Sequence, residues 1–200
     1  MSSLFSLLDP QTIIKALGLV GVVAIVFAES GLFFGFFLPG DSLLFTAGFL
    51  ASQDLISIFW LLILTFIAAV LGDNVGYYFG KKTGPKIFTK EDSFFFRKSH
   101  IEKTKNFYNR HGKMTIILAR FVPVVRTFVP IVAGVGEMDY ATFFKFNVIG
   151  GFLWTWGVIL LGYLLGSVIP NAEHYLTPIV IAIIFISFIP GIIEFFRHRK

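Results

Sequence analysis

The chain contains no cysteine, and only 14% of its 200 residues are Asp, Glu, Lys or Arg. The first absence excludes a disulfide framework, a thiolate nucleophile and a cysteine metal site. The second argues against a water-soluble domain, which carries about 25% charged residues. With 56% hydrophobic residues, 26 of them Phe among the 200, a soluble fold would leave more apolar surface than water tolerates. The mean hydropathy of +0.79 points the same way. Soluble enzymes, nucleic-acid binders and disordered chains are set aside, and we read a single-domain, all-α polytopic membrane protein. The net charge of +5 then reflects basic loops facing anionic headgroups, not nucleic acid.

In hydrocarbon, the gaps between charges carry the topology. Residues 55–72, 146–172 and 174–193 are uncharged runs of 18, 27 and 20 residues, close to or above the length of about 20 that crosses a bilayer. They predict transmembrane helices over 54–80, 141–167 and 177–196. Residues 15–28 form a shorter apolar helix, either a tilted span or an interfacial one. Two further apolar regions, 29–52 and 114–137, are interrupted. The first holds Pro39, Gly40 and Asp41, the second Pro123, Arg126, Pro130 and Gly134. Helix breakers and charges at membrane depth occur where protein or a wet cavity surrounds them. Both regions are therefore expected to be re-entrant helical hairpins.

Residues 81–113 hold ten basic residues against three acidic ones, and Arg197, Arg199 and Lys200 add three more near the C-terminus. The positive-inside bias places this loop and the C-terminus in the cytoplasm. The two hairpins then open on opposite faces, an inverted repeat of the kind found in many secondary transporters. Within the loop, Ser99-His100-Ile101-Glu102 reads as a capping box for a helix ending at Gly112.

Five ionisable residues fall in or beside the apolar regions: Glu29, Asp41, Asp73, Arg120 and Arg126. A charge at the bilayer centre costs about 2.5–3.5 kcal/mol on insertion scales, so five of them in one small chain require a reason. Opposed hairpins would set Glu29 and Asp41 of the first against Arg120 and Arg126 of the second. Guanidinium forks suit phosphate or carboxylate better than ammonium groups do, which assigns Arg120 and Arg126 to an anionic headgroup. Glu29 and Asp41 are assigned to proton coupling or gating, because protonating them would free the arginines for an anion. Asp73 is an accessory candidate or an interfacial residue close to Lys81 and Lys82. The alternative for Glu29, Asp41, Arg120 and Arg126 is a group of purely structural ion pairs. Gly72, Gly76, Gly80 and Gly84 recur every four residues and form a smooth stripe for helix packing. Trp154, Trp156 and Tyr163 read as packing or interface anchors.

Enzyme signals are poor. There is no Gly-x-Ser-x-Gly elbow or His-Glu-x-x-His helix, and His100, His111, His174 and His198 fall in or near expected loops. No catalytic residue, metal or cofactor is expected.

Three stretches in order resemble the DedA family, whose shared region is also called the VTT or SNARE-associated domain. They are Glu29-Ser30-Gly31 through Phe37-Leu38-Pro39-Gly40-Asp41; Gly72-Asp73-Asn74-Val75-Gly76-Tyr77-Tyr78-Phe79-Gly80 with Gly84; and Ala119-Arg120-Phe121-Val122-Pro123-Val124-Val125-Arg126-Thr127-Phe128 continuing to Pro130, Ala133-Gly134 and Met138. Asp41 stands where many members carry Glu, which keeps the carboxylate. The resemblance implies a bacterial inner- or plasma-membrane protein with two opposed re-entrant hairpins. It also implies movement of lipid-linked phosphate, notably undecaprenyl phosphate, or of phospholipid, with links to proton-motive force. By position, Glu29, Asp41, Arg120 and Arg126 match the family's essential acidic and basic residues. The leading expectation is a lipid-phosphate translocase whose partners are membrane lipids and protons; a homo-oligomer is compatible with it. Its rivals are a proton-coupled exporter of small cations and a non-transport membrane scaffold.

Overall fold

The computed structural model describes residues 10–32, 35–87 and 114–168. Among these residues there are five helices: α1 (Pro10–Gly31), α2 (Gly40–Ala51), α3 (Ile58–Ile87), α4 (Pro123–Val135) and α5 (Tyr140–Val168). A 3-10 turn at Gly35–Phe37 precedes α2, and a short helical stretch at 114–119 precedes α4.

Residues 58–84 of α3 (27 residues) and the whole of α5 (29 residues) are long and apolar enough to cross a membrane. At 1.5 Å per residue each exceeds a hydrocarbon core of about 30 Å. Their surfaces are inverted relative to a water-soluble helix. Phe59, Ile67, Leu71, Val75 and Phe79 of α3, and Phe152, Leu153, Leu161 and Leu164 of α5, are exposed. The buried faces hold Thr65, Asp73, Asn74, Asn147 and Thr155 together with glycines. Apolar outside with small and polar inside is the pattern of helices that meet in lipid.

Glycine contacts fix which helix lies on which. A Cβ at Gly72 would meet Phe27, Ser30 and Gly31 of α1. Those at Gly76, Gly80 and Gly84 would meet Pro130, Ile131 and Val135 of α4, and Gly134 of α4 faces the backbone of Tyr77 and Lys81. In the other half, Gly48 of α2 lies against Ile159 of α5, while Gly162 and Gly166 of α5 lie against Phe45 and Phe49 of α2. Each short helix thus packs on the long helix that follows the other one. Both short helices also end alike. Asp54 (φ 59) follows α2 and Glu137 (φ 53) follows α4, each in the left-handed region. The next amide donates back across the turn, Leu55 to Leu50 at 3.2 Å and Met138 to Ala133 at 3.0 Å, which satisfies the last carbonyls.

Several boundaries differ from those read in the sequence. The short apolar helix expected over 15–28 is the part of α1 that follows a break at Gly18 (φ 58, ψ −152), a conformation glycine alone adopts readily; this apolar part runs over Leu17–Gly31. Glu29 lies in the last turn of α1, and the break falls at 32–39, after it. Pro39 caps α2 and Gly40 is its first residue, so this pair starts a helix. The span placed at 54–80 begins at Ile58, because the left-handed Asp54 occupies the turn before it. It continues to Ile87, because Lys81 and Lys82 hold their charges outward on long stems near the negative end of the helix dipole. In the second region the break is the turn at 120–122, and α4 starts at Pro123. Pro130 lies inside α4 without ending it, and Gly134 is a packing position in its last turn. The span placed at 141–167 is α5, one residue longer at each end. The span at 177–196, the basic loop from 88 onward with its capping box, and the basic tail lie outside the described residues.

Candidate functional site

The breaks before α2 and α4 bring the starts of both helices to the end of α1 and the middle of α5. Glu29 comes from the last turn of α1, Asp41 from the first turn of α2, Arg126 from the first turn of α4, and Trp154 from α5. Arg126 donates through Nη2 to Glu29 Oε1 and through Nη1 to Asp41 Oδ1 at 2.8 Å. Trp154 Nε1 donates to the same Asp41 oxygen at 2.7 Å. The Arg126 guanidinium carbon lies 4.5 Å from the Trp154 ring centre, within cation–π range. The Arg126 and Glu29 side chains are 5% and 1% exposed, whereas that of Asp41 is 21% exposed. Asp41 is therefore the least buried of the three. The second Glu29 oxygen, Oε2, and Arg126 Nε have no hydrogen-bond partner. Gly40 makes room for that oxygen, because a Cβ there would coincide with the Glu29 carboxylate.

A second cluster lies next to it. Arg120, in the turn before α4, donates through Nη2 to Asp73 of α3 and to Asn147 Oδ1 of α5. The same nitrogen reaches the Ala69 carbonyl at 3.5 Å. Asn147 Nδ2 donates to the Val70 carbonyl at 3.1 Å. The Arg120 stem runs over Gly150 and Gly151; a Cβ on Gly150 would stand 3.0 Å from Arg120 Cδ. Asp73, Arg120 and Asn147 are all buried. The Arg120 guanidinium carbon is 5.9 Å from the same Trp154 ring, so both guanidiniums lie near one indole.

All five ionisable residues picked from the sequence thus lie in one buried region, but their pairing differs from the expectation. Arg126 alone takes both acids, Glu29 and Asp41. Arg120 pairs with Asp73, which is buried inside the protein at 4% exposure. Sequence reading missed Asn147 and assigned Trp154 to packing. A periodic signal was present, since Asn147, Gly150, Gly151 and Trp154 stand at i, i+3, i+4 and i+7, one stripe of a helix. Among the described residues no group of three or more His, Cys, Asp or Glu is placed to hold a metal ion. The arrangement offers a charged fork and two carboxylates that share it.

Fold and site define an α-helical membrane protein with an ion-paired polar centre between glycine-packed helices. Residues 38–164 match the family model described as the VTT domain. The chain is 47% identical over 178 residues to Protein DedA of Escherichia coli (strain K12), covering 88% of this chain and 81% of that protein. It is 44% identical over 196 residues to the uncharacterized membrane protein Rv0364 of Mycobacterium tuberculosis (strain ATCC 25618 / H37Rv), covering 94% and 86%. Inner membrane protein YqjA of Escherichia coli (strain K12) is 32% identical over 143 residues, covering 72% and 65%. The chain belongs to the DedA/VTT family. No solved structure matches it.

Proposed function

We propose that this protein carries a lipid-linked phosphate or an anionic phospholipid across the bacterial inner membrane, with undecaprenyl phosphate as the leading substrate. The observation that carries this reading is the sharing of Arg126 between Glu29 and Asp41, of which Asp41 is the less buried. A phosphate entering past Asp41 meets a fork whose donors match its oxygens. It takes those donors from the carboxylates, and the carboxylates are discharged by protons. The charge count supports proton coupling. Three buried or partly buried carboxylates, Glu29, Asp41 and Asp73, face two guanidiniums, so the ionised set sums to 2 − 3 = −1. An added anion deepens that deficit, and in a medium that penalises charge it enters together with protons. The lipid tail stays in hydrocarbon while the headgroup crosses, so the work is transport and no covalent step is needed. Arg120, already committed to Asp73 and Asn147, holds the frame and adds its field.

The inverted repeat belongs to the same proposal. The broken regions around 32–39 and 120–122 are the turning points of two re-entrant hairpins that open on opposite faces. The basic loop 81–113 and the C-terminus lie on the cytoplasmic side. The exchange of short helices between halves and the paired left-handed acidic turns after α2 and α4 support a duplicated unit.

The test is headgroup flipping in proteoliposomes carrying labelled undecaprenyl phosphate, with and without an imposed proton gradient. Flipping above protein-free vesicles, and faster with the gradient, is the expected result. Proton-driven efflux of a small cation without lipid movement would replace this reading with the exporter.

A further inference from the structure

We infer that Trp154 is a positioning residue of the exchange site: it holds the Arg126 guanidinium and the Asp41 carboxylate in place when an anion separates them. The inference rests on the transport reading above and adds a residue to it. Three observations carry it. The indole N–H and Arg126 Nη1 converge on a single oxygen, Asp41 Oδ1, at 2.7 and 2.8 Å. The Arg126 guanidinium lies 4.5 Å from the indole ring centre. Trp154 itself is 1% exposed and fixed between packed helices, with the glycine face of α5 on one side and the core residues Leu43, Leu44 and Ala47 in the same apolar cluster.

These contacts do different work at the two stages of exchange. In the resting cluster Asp41 Oδ1 accepts from both Arg126 and Trp154. When phosphate takes the Arg126 donors, the indole N–H stays on Asp41, so that oxygen is never left without a partner in a low-dielectric site. The aromatic face acts on the other partner. A guanidinium freed from its carboxylates has its plane unsupported unless a ring backs it, and a desolvated cation–π contact is worth about 2 kcal/mol. Trp154 thus keeps the fork aimed at the entry edge. The charged groups around it come from every packed element: Glu29 of α1, Asp41 of α2, Asp73 of α3, Arg120 before α4 and Arg126 of α4.

The chain has three tryptophans, Trp60, Trp154 and Trp156, so Trp60→Phe with Trp156→Phe leaves one indole to observe. Purified in micelles with a 15N-labelled indole, this protein is titrated with farnesyl phosphate, and binding is measured in parallel by equilibrium dialysis. The Trp154 indole resonance is expected to move saturably with the same midpoint as binding. In Asp41→Asn its starting position differs, and in Arg126→Ala the ligand no longer moves it. On the parent background, Trp154→Leu weakens binding roughly 10–30-fold, the loss of a desolvated cation–π contact. Trp154→Phe keeps a ring behind Arg126 but loses the N–H donor to Asp41, so it recovers only part of that loss. Binding by dialysis with an unmoved indole resonance overturns the role of Trp154 and leaves the transport reading standing. Absence of binding in the parent overturns both.

Discussion

The Arg126 guanidinium carbon lies 4.5 Å from the centre of the Trp154 ring, and both side chains donate to one oxygen of Asp41. This contact makes the planar shape of Arg126 matter as much as its charge. A lysine at 126 would keep the charge but lose the fork and the flat face. Arg126→Lys is expected to retain less than roughly a tenth of parental flipping at equal protein, a loss of about 1.4 kcal/mol or more. Flipping rates in proteoliposomes matched for reconstituted protein check this.

Arg120 and Asp73 are expected to behave differently, because their hydrogen bonds tie three elements together. Asp73→Ala strands the Arg120 guanidinium in a buried site and should lower stability by about 3–5 kcal/mol. Asp73→Leu combined with Arg120→Met removes both charges and should recover most of that loss. Thermal unfolding in detergent, read for each single variant and for the pair, shows whether the cycle closes this way.

Glycine positions separate effects on the site from effects on packing. At Gly80 a Cβ would run into the Ile131 backbone, which cannot swing away, so Gly80→Ala should cost about 1–3 kcal/mol of stability. At Gly157 nothing lies within 4 Å, and Gly157→Ala should be neutral or stabilising by up to about 1 kcal/mol. Gly40→Ala is the informative case. Its Cβ displaces the Glu29 carboxylate, the movable end of a side chain, so transport should fall, as it should in Glu29→Gln, while the melting temperature drops less than in Gly80→Ala.

Acid sensitivity of one helix start follows from Asp139. The Thr142 amide and hydroxyl both donate to Asp139 Oδ2 at 2.8 Å, and these bonds hold its carboxyl below the usual aspartate value of 3.8. A depressed folded value means that Asp139 stabilises the start of α5 above the unfolded value. That contribution disappears as pH falls from about the ordinary aspartate range through the folded one. Asp139→Asn should flatten this acid limb and leave neutral-pH stability nearly unchanged. Melting temperature against pH, parent beside variant, is the measurement.

Much of the site was legible because charge inside apolar sequence stands out. Glu29, Asp41, Asp73, Arg120 and Arg126 could be singled out by the cost of placing them there. Their pairing was not legible. Which acid meets which arginine depends on α2 packing on α5 and α4 on α3. Trp154 was missed because an aromatic in a long apolar helix most often anchors or fills. Only its shared face with Asn147 and the Gly150–Gly151 pair sets it apart. Helix ends were misjudged for local reasons. Lysines do not by themselves stop a helix, as α3 running through Lys81 and Lys82 shows. Pro130 withdraws one donor, that for the Arg126 carbonyl, yet α4 runs through it, pinned on the smooth face of α3 at Gly76.

The claim that Arg126 exchanges its carboxylates for the substrate phosphate is tested most directly by solid-state NMR. The protein, with 15N-labelled arginine side chains, is placed in bilayers containing undecaprenyl phosphate, and 31P dephasing of the guanidinium signals is recorded. Dephasing in the parent that vanishes in Arg126→Gln, with flipping lost in the same samples, is the predicted result. Undiminished dephasing and flipping in Arg126→Gln would contradict it.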